Sequence, residues 1–323
     1  MKLSNVVVGT AFVWMSTIAV AAEQPVIGLI TKTDTNPFFV KMKEGAQQAA
    51  QAGGVILLTA AGKFDGDNAG QVSAIENMIA AGAKTILIVP SDAKAIVPSL
   101  KKARDKGVQL IALDSSTEPK DAVDALFATD NYQAGKLIGQ YAKAVMGGKS
   151  AKIATLDLFP GHPVGIARHT GFLDGFGVKA NDPSVVCMQD AFGDQAKGQT
   201  AMENCLQKNP QINLVYAINE PVAAGAYKAL KAIGKEKSVM IVTVDGGCTG
   251  VRDIKAGAIA ATSQQYPLKM ASLGVEAGIA YAKTGKKAMG YIDTGVHLIT
   301  DHPVAGVESK DSQFGLDACW GKK

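Results

Sequence analysis

The sequence predicts an α/β protein with two doubly wound parallel-sheet lobes. Three observations carry this: short apolar runs, Ala-rich amphipathic stretches between them, and glycines closing those stretches. The runs are Val26–Ile30, Val55–Thr59, Thr85–Val89, Val108–Leu113, Lys152–Leu158, Leu214–Ile218 and Met240–Val244. Each is almost continuously apolar over about five to seven residues, as expected of a strand covered on both faces. Phe39–Ala52 places apolar or small residues at 39, 42, 46, 49 and 50, and Asn68–Ala81 at 72, 75, 78, 79 and 80, both at helical spacing. Gly53, Gly82, Gly107, Gly147 and Gly234 stand where left-handed helix caps belong. Four or five βα units precede Asp130 and as many follow, which suits two sheets of five or six strands better than one of ten. No Pro/Ser-rich linker divides them, so the chain is expected to pass directly between the lobes.

Composition narrows the class. The chain has 323 residues, is 47% hydrophobic and carries a formal net charge of +4 from interspersed signs. That excludes disorder and disulfide-dense miniproteins, and no basic arm suggests a nucleic-acid partner. Residues 1–22 differ from the rest. Lys2 is followed by the apolar run Val6–Val20 and the small residues Ala21-Ala22, the pattern of a cleaved signal peptide and too short to span a membrane. Export makes Cys187, Cys205, Cys248 and Cys319 disulfide candidates, with three pairings open. Neither these cysteines nor His162, His169, His297 and His302 show metal-ligand spacing, and no cofactor is implied.

In open α/β sheets ligands sit beyond the carboxyl ends of the strands. Polar residues recur there: Lys32, Asp34 and Asn36; Lys63, Asp65 and Asp67; Ser91-Asp92; Asp114-Ser115; Arg168; Asp190 and Asp194; Asn219-Glu220; Asp245; and Gln265. Carboxylates, carboxamides and a guanidinium offer donors and acceptors in fixed directions, which is what sugar hydroxyls require. Phe38 and Phe39 add flat apolar faces for a sugar ring. Taken singly, an Asp or Asn at a strand-to-helix turn serves equally well as a cap.

Enzymatic signatures are missing. Strand one leads into Thr31-Lys32-Thr33-Asp34-Thr35-Asn36-Pro37 without the glycines of a dinucleotide fold, and neither a P-loop nor a G-x-S-x-G elbow occurs. The four histidines have no paired nucleophile and are read as surface or supporting residues. An exported carbohydrate-modifying enzyme would use Asp114 and Asp245 as its acid and base. A repressor core would need an N-terminal helix-turn-helix, whereas here the apolar leader runs straight into strand one.

Thr33-Asp34-Thr35-Asn36-Pro37-Phe38-Phe39-Val40, Leu113-Asp114, Thr129-Asp130-Asn131, Arg168-x-x-Gly171-Phe172, Ile218-Asn219-Glu220, Val244-Asp245-Gly246 and Gln265 occur in an order that resembles the ribose-type periplasmic sugar-binding proteins of ABC importers. Gly62-Lys63-Phe64-Asp65-Gly66-Asp67, Ala201–Cys205, Gln264–Pro267 and Cys319-Trp320-Gly321 look most like the fructose-binding branch. The resemblance implies two lobes joined by three crossover strands: residues 23–129 with 266–295, and 130–265 with 296–323. It implies a non-enzymatic, monomeric periplasmic chain that closes on a monosaccharide and delivers it to a membrane permease, with a chemoreceptor as a further candidate partner. Carried over by position, Asn36, Phe38, Phe39 and Asp114 hold the sugar from lobe one, Arg168, Asn219 and Asp245 from lobe two, and Gln265 from a hinge strand. Ser115 stands where ribose binders carry Arg, and Lys32 replaces a small polar residue. The second strand's loop is longer, and Phe192 is displaced by one position. These departures favour a hexose or ketose, with Lys32, Asp65 and Asp194 as extra contacts. The same branch implies the pairs Cys187–Cys205 and Cys248–Cys319.

Overall fold

The computed structural model describes residues 24–321, so the expected signal segment lies outside the described residues. From the N-terminus the elements are β1 (Val26–Thr31), α1 (Pro37–Gly53), β2 (Ile56–Ala61), α2 (Asn68–Ala80), β3 (Thr85–Ile88), α3 (Val97–Asp105), β4 (Gln109–Leu113) and β5 (Ala125–Ala128). Then follow α4 (Asn131–Met146), β6 (Ile153–Asp157), α5 (Pro163–Phe176), β7 (Val185–Asp190), α6 (Gln195–Lys208), β8 (Leu214–Ala217), α7 (Glu220–Ala232), β9 (Met240–Asp245), α8 (Cys248–Lys255) and β10 (Ala261–Gln264). The chain ends with α9 (Pro267–Thr284), β11 (Gly290–Asp293), β12 (His297–Ile299) and α10 (Ser312–Ala318).

Two six-stranded sheets result, ordered β2-β1-β3-β4-β5-β11 and β7-β6-β8-β9-β10-β12. Every pairing is parallel except β10 with β12. The strand order reverses beside β1 in the first sheet and beside β6 in the second, so each lobe has a switch point where a crevice opens at the strand ends. The chain passes between the sheets after β5, after β10 and between β11 and β12, three times in all.

The central strands are as apolar as their runs imply. Leu29, Ile30, Leu87, Ile111 and Leu113 are sealed in the first sheet, and Leu156, Val215 and Val242 in the second. Helices cover both faces: Met42 of α1 and Met270 of α9 pack on one side of the first sheet, and Ile75 of α2 and Leu100 of α3 on the other. The Val55–Thr59 expectation needs correcting. β2 is an edge strand, so Ile56 and Thr59 are exposed instead of covered. The cap of α1 also shifts by one residue. Gly53 is the last helical residue, and Gly54 takes the left-handed conformation and closes the helix with bonds to Ala50 and Gln51.

Both disulfides pair as the resemblance implies. Cys187–Cys205 ties β7 to α6, and Cys248–Cys319 ties the start of α8 to the C-terminal segment. No helix of the described residues is long and apolar enough to cross a membrane.

Candidate functional site

The strand ends of the two sheets face one another, and turn chemistry fixes what each presents. After β1, Lys32 is buried and Thr31 donates its hydroxyl to the Thr33 carbonyl. Asn36 then caps α1: its Oδ1 accepts from Phe38 N at 3.0 Å, with Pro37 pre-set for the first turn. This turn drives Phe38 and Phe39 inward, where they meet edge-to-face. After β4, Asp114 takes φ 61°, a conformation that costs an ordinary residue roughly 1–2 kcal/mol. Ser115 Oγ donates to Asp114 Oδ2 at 2.9 Å, and both side chains are buried. In the loop before α2, Asp67 accepts from the amides of Lys63 and Gly70, a purely local role. That leaves Asp65 at the cleft, 3.8 Å from Lys32. Burial raises the Asp65 carboxyl above its ordinary range, Lys32 opposes this, and Asp114 adds to it.

The second lobe contributes a bonded network. Arg168 is only 4% exposed; its Nε donates to Asn131 Oδ1 at 2.7 Å and its Nη1 to the Ile218 carbonyl at 3.0 Å. The guanidinium stands 3.7 Å from Asp245. Asp245 Oδ1 accepts from Gln265 Nε2 at 2.9 Å, and the Gln265 amide also donates to the Asp245 carbonyl. Burial raises the Asp245 carboxyl to about 6 against the pull of Arg168. Asn219 caps α7 through Val222 N and donates Nδ2 to the Gly193 carbonyl. Gln265 lies just past β10, at a passage between the lobes.

Contacts link most of the twelve singled-out residues: Lys32 with Asp65 and the Phe39 ring, Asp114 with Ser115, Asp65 and Asp245, Phe38 with Phe39, and Asp245 with Arg168 and Gln265. Asn36 and Asn219 cap α1 and α7. Asp194 does not join them. It is an exposed cap of α6 whose carboxylate accepts from Lys197 N at 2.9 Å. The displaced Phe192 is 36% exposed and lies under the Lys197 ammonium, 4.0 Å from its ring centre.

The structure also gives places to residues named from the sequence without a ligand-binding role, and it corrects the surface reading of His162. His162 follows β6 at the second switch point and is buried, with Nε2 2.8 Å from Lys32 Nζ across the cleft. The signal for it is tertiary, because the partners lie 130 residues apart. The carboxylate of Glu220 accepts from the amides of Gly246 and Gly247. Burial and the neighbouring Asp245 raise Glu220. Trp320 stacks edge-to-face on Phe38 and donates its indole N–H to the Gln265 carbonyl. Asp65 Oδ1, His162 Nδ1 and Gln265 Oε1 are buried with no hydrogen-bond partner in the protein. Among the described residues, no group of three His, Cys, Asp or Glu side chains is arranged to hold a metal ion.

Residues 27–287 match the family described as a periplasmic binding protein domain. The chain belongs to that family. A ribose import binding protein of Bacillus subtilis is 34% identical over 253 residues, 78% of this chain and 79% of the relative. The D-allose-binding periplasmic protein of Escherichia coli is 29% identical over 278 residues, 84% of this chain and 88% of the relative. Among solved structures, a carbohydrate transporter solute-binding protein from Agrobacterium radiobacter, in complex with D-arabinose, is 26% identical with TM-score 0.80, covering 93% of this chain and all of that one. All three are named as binding proteins, the first for ribose import, and the fold of the third matches the one described above.

Proposed function

We propose that this chain is an exported, non-enzymatic periplasmic protein that captures a monosaccharide between its lobes and delivers it to an ABC permease. The observation that carries this reading is the buried Arg168–Asp245–Gln265 network at a lobe passage. Charged and amide groups sealed from water need satisfied partners, and a polyhydroxylated ring supplies donors and acceptors together. Arg168, Asn219, Asp245 and Gln265 take the sugar's hydroxyls from one side, Asn36 and Asp114 from the other, and Phe38 and Phe39 face its C–H surface. The lobes divide at 129/130, 265/266 and 295/296, and these passages act as the hinge. Closure excludes water and strengthens each polar contact.

The ligand class is a fructose-like ketose or a hexose. Ser115 makes a smaller demand beside Asp114 than an arginine would, and Lys32 with Asp65 adds a charged corner that a hydroxymethyl arm would reach. Ribose, a polyol or an amino sugar would use the same mechanism, and a chemoreceptor would read the same closed form.

Thermal melting of the purified protein with D-fructose, D-allose, D-ribose and D-arabinose tests this. A ligand at a hundred times its Kd adds about 2.7 kcal/mol, a rise of about 4 °C in Tm for a chain this size. D-fructose or D-allose is expected to give the largest rise. A rise with D-ribose alone would overturn the hexose assignment, and none with any sugar would overturn the reading as a whole.

A further inference from the structure

Resting on the reading that the lobes close over a ligand, we propose that His162 is a positioning residue. Its neutral imidazole latches the closed lobes through Lys32, so capture weakens when His162 takes up a proton.

The geometry sets the protonation state. An ammonium has three donors and no acceptor, so the 2.8 Å contact requires His162 Nε2 to offer a lone pair, with its proton on Nδ1. Protonation would set N–H against N–H and place two positive charges in contact, both sealed from water. The surroundings offer no relief. Arg168 faces the ring from α5, and the Phe159 ring meets it edge-on at 5.1 Å. On the other lobe the Asp65 carboxylate stands 3.8 Å from Lys32, with Asp114 and Lys197 also acting on it. Asp245 is paired with Arg168. His169, inside the helix that His162 precedes, shows the contrast. It is bonded to Asp157 at 2.9 Å, and that partner raises its affinity for a proton, whereas burial and the flanking cations push His162 well below its ordinary value.

The contact joins the two switch points, Lys32 after β1 and His162 after β6. When the lobes separate, the imidazole regains water and an ordinary pKa near 6.5. Closure below that pH must therefore expel a proton, and apparent affinity falls about tenfold for each pH unit. The latch also fixes the Lys32 ammonium beside Asp65, at the corner where the ligand's arm is placed.

The test is calorimetric titration of wild type, His162→Gln and His162→Ala at pH 7.5 and 5.5, with whichever of D-fructose, D-allose, D-ribose and D-arabinose binds. Gln keeps an acceptor for Lys32 but does not titrate, and the response of Asp245 is common to all three proteins. The ratio of affinities at the two pH values should be about tenfold larger for wild type than for His162→Gln, and His162→Ala should bind more weakly than His162→Gln at pH 7.5. Equal ratios in wild type and His162→Gln would overturn the latch. Should His162→Gln not fold, Lys32→Met takes its place, and removal of the facing ammonium should likewise diminish the ratio. If none of the four sugars binds, the sugar reading fails and the latch that rests on it fails with it, whereas binding with equal ratios overturns the latch alone.

Discussion

Asp245 is caught between two demands. In the proposed site a ligand's hydroxyls need its carboxylate, while burial favours its acid form and raises the pKa to about 6. Its folded-state value thus lies above the unfolded one, near 3.9. The resulting stability is fully present below about pH 4 and is lost as pH rises through about 6. From pH 4 to 7.5 this loss amounts to about 3 kcal/mol, on the scale of 1.36 kcal/mol per pKa unit. Asp245→Asn removes it, so in ligand-free denaturant titrations the variant should gain on wild type as pH rises across that range. A constant difference would show that Arg168 already compensates the charge. The same variant should lose about 2–5 kcal/mol of sugar affinity, because Arg168 is left buried beside a neutral partner. Residues of this kind were legible in the sequence because they follow strands. Asp194 follows a strand too, yet it only caps a helix, because the same side chain serves either purpose.

At the scale of elements, the apolar runs identified β1, β3, β4, β6, β8 and β9, since full burial leaves no polar alternation to confuse the reading. β5 and β10 also lie inside the sheets but matched no run, β10 because its buried residues are Ala-Thr-Ser-Gln. β11 and β12 gave no such signal. Gly290–Asp293 is exposed throughout at a sheet edge, and His297–Ile299 is a three-residue antiparallel edge strand. The packing of α4 on α5 was equally silent in the sequence, although it positions Arg168. A β-carbon on Gly171 would overlap the Tyr132 carbonyl, and one on Gly135 the Arg168 carbonyl. The two backbones therefore touch at glycine, holding Arg168 within reach of Asn131 at the start of α4. Gly171→Ala should force the helices apart at a cost of about 1–3 kcal/mol, with sugar affinity falling as well. Chemical denaturation and calorimetry measure the two effects, and full affinity in a destabilised variant would separate the helix contact from the site. The disulfides close loops of 18 and 71 residues, for which chain entropy gives about 3 and about 4 kcal/mol. Cys248→Ser with Cys319→Ser should accordingly lower the unfolding midpoint more than the Cys187, Cys205 double replacement.

At the scale of the whole molecule, the two sheets are joined by three short passages, after Ala128, after Gln264 and after Asp293, and the first and third are bonded to each other through Thr294 N and the Ala128 carbonyl. Trp320 adds a fourth tie. Its indole lies on Phe38 of the first lobe, its N–H bonds the Gln265 carbonyl at a passage, and its own carbonyl accepts from Cys248 N of the second lobe. Phe38, proposed above as a face for the ligand, is thus braced by a residue nearly 300 positions away, a relation no local pattern encodes. On the proposed reading the lobes open and close as a hinge on this joint, and a ligand shifts that equilibrium only by its different affinity for the two forms. A sugar that bonds Asp114 on one lobe and Asp245 on the other has both partners only in the closed form. Small-angle scattering should therefore show the radius of gyration falling on addition of saturating sugar, toward the about 19 Å of a compact chain of about 300 residues. Trp320→Ala should leave a cavity worth about 3–5 kcal/mol of stability and free Phe38, so that the same sugar closes the lobes only at higher concentration. A radius indifferent to sugar would mean that the lobes are already closed without it, and the contacts across the cleft would then preform the site instead of completing it.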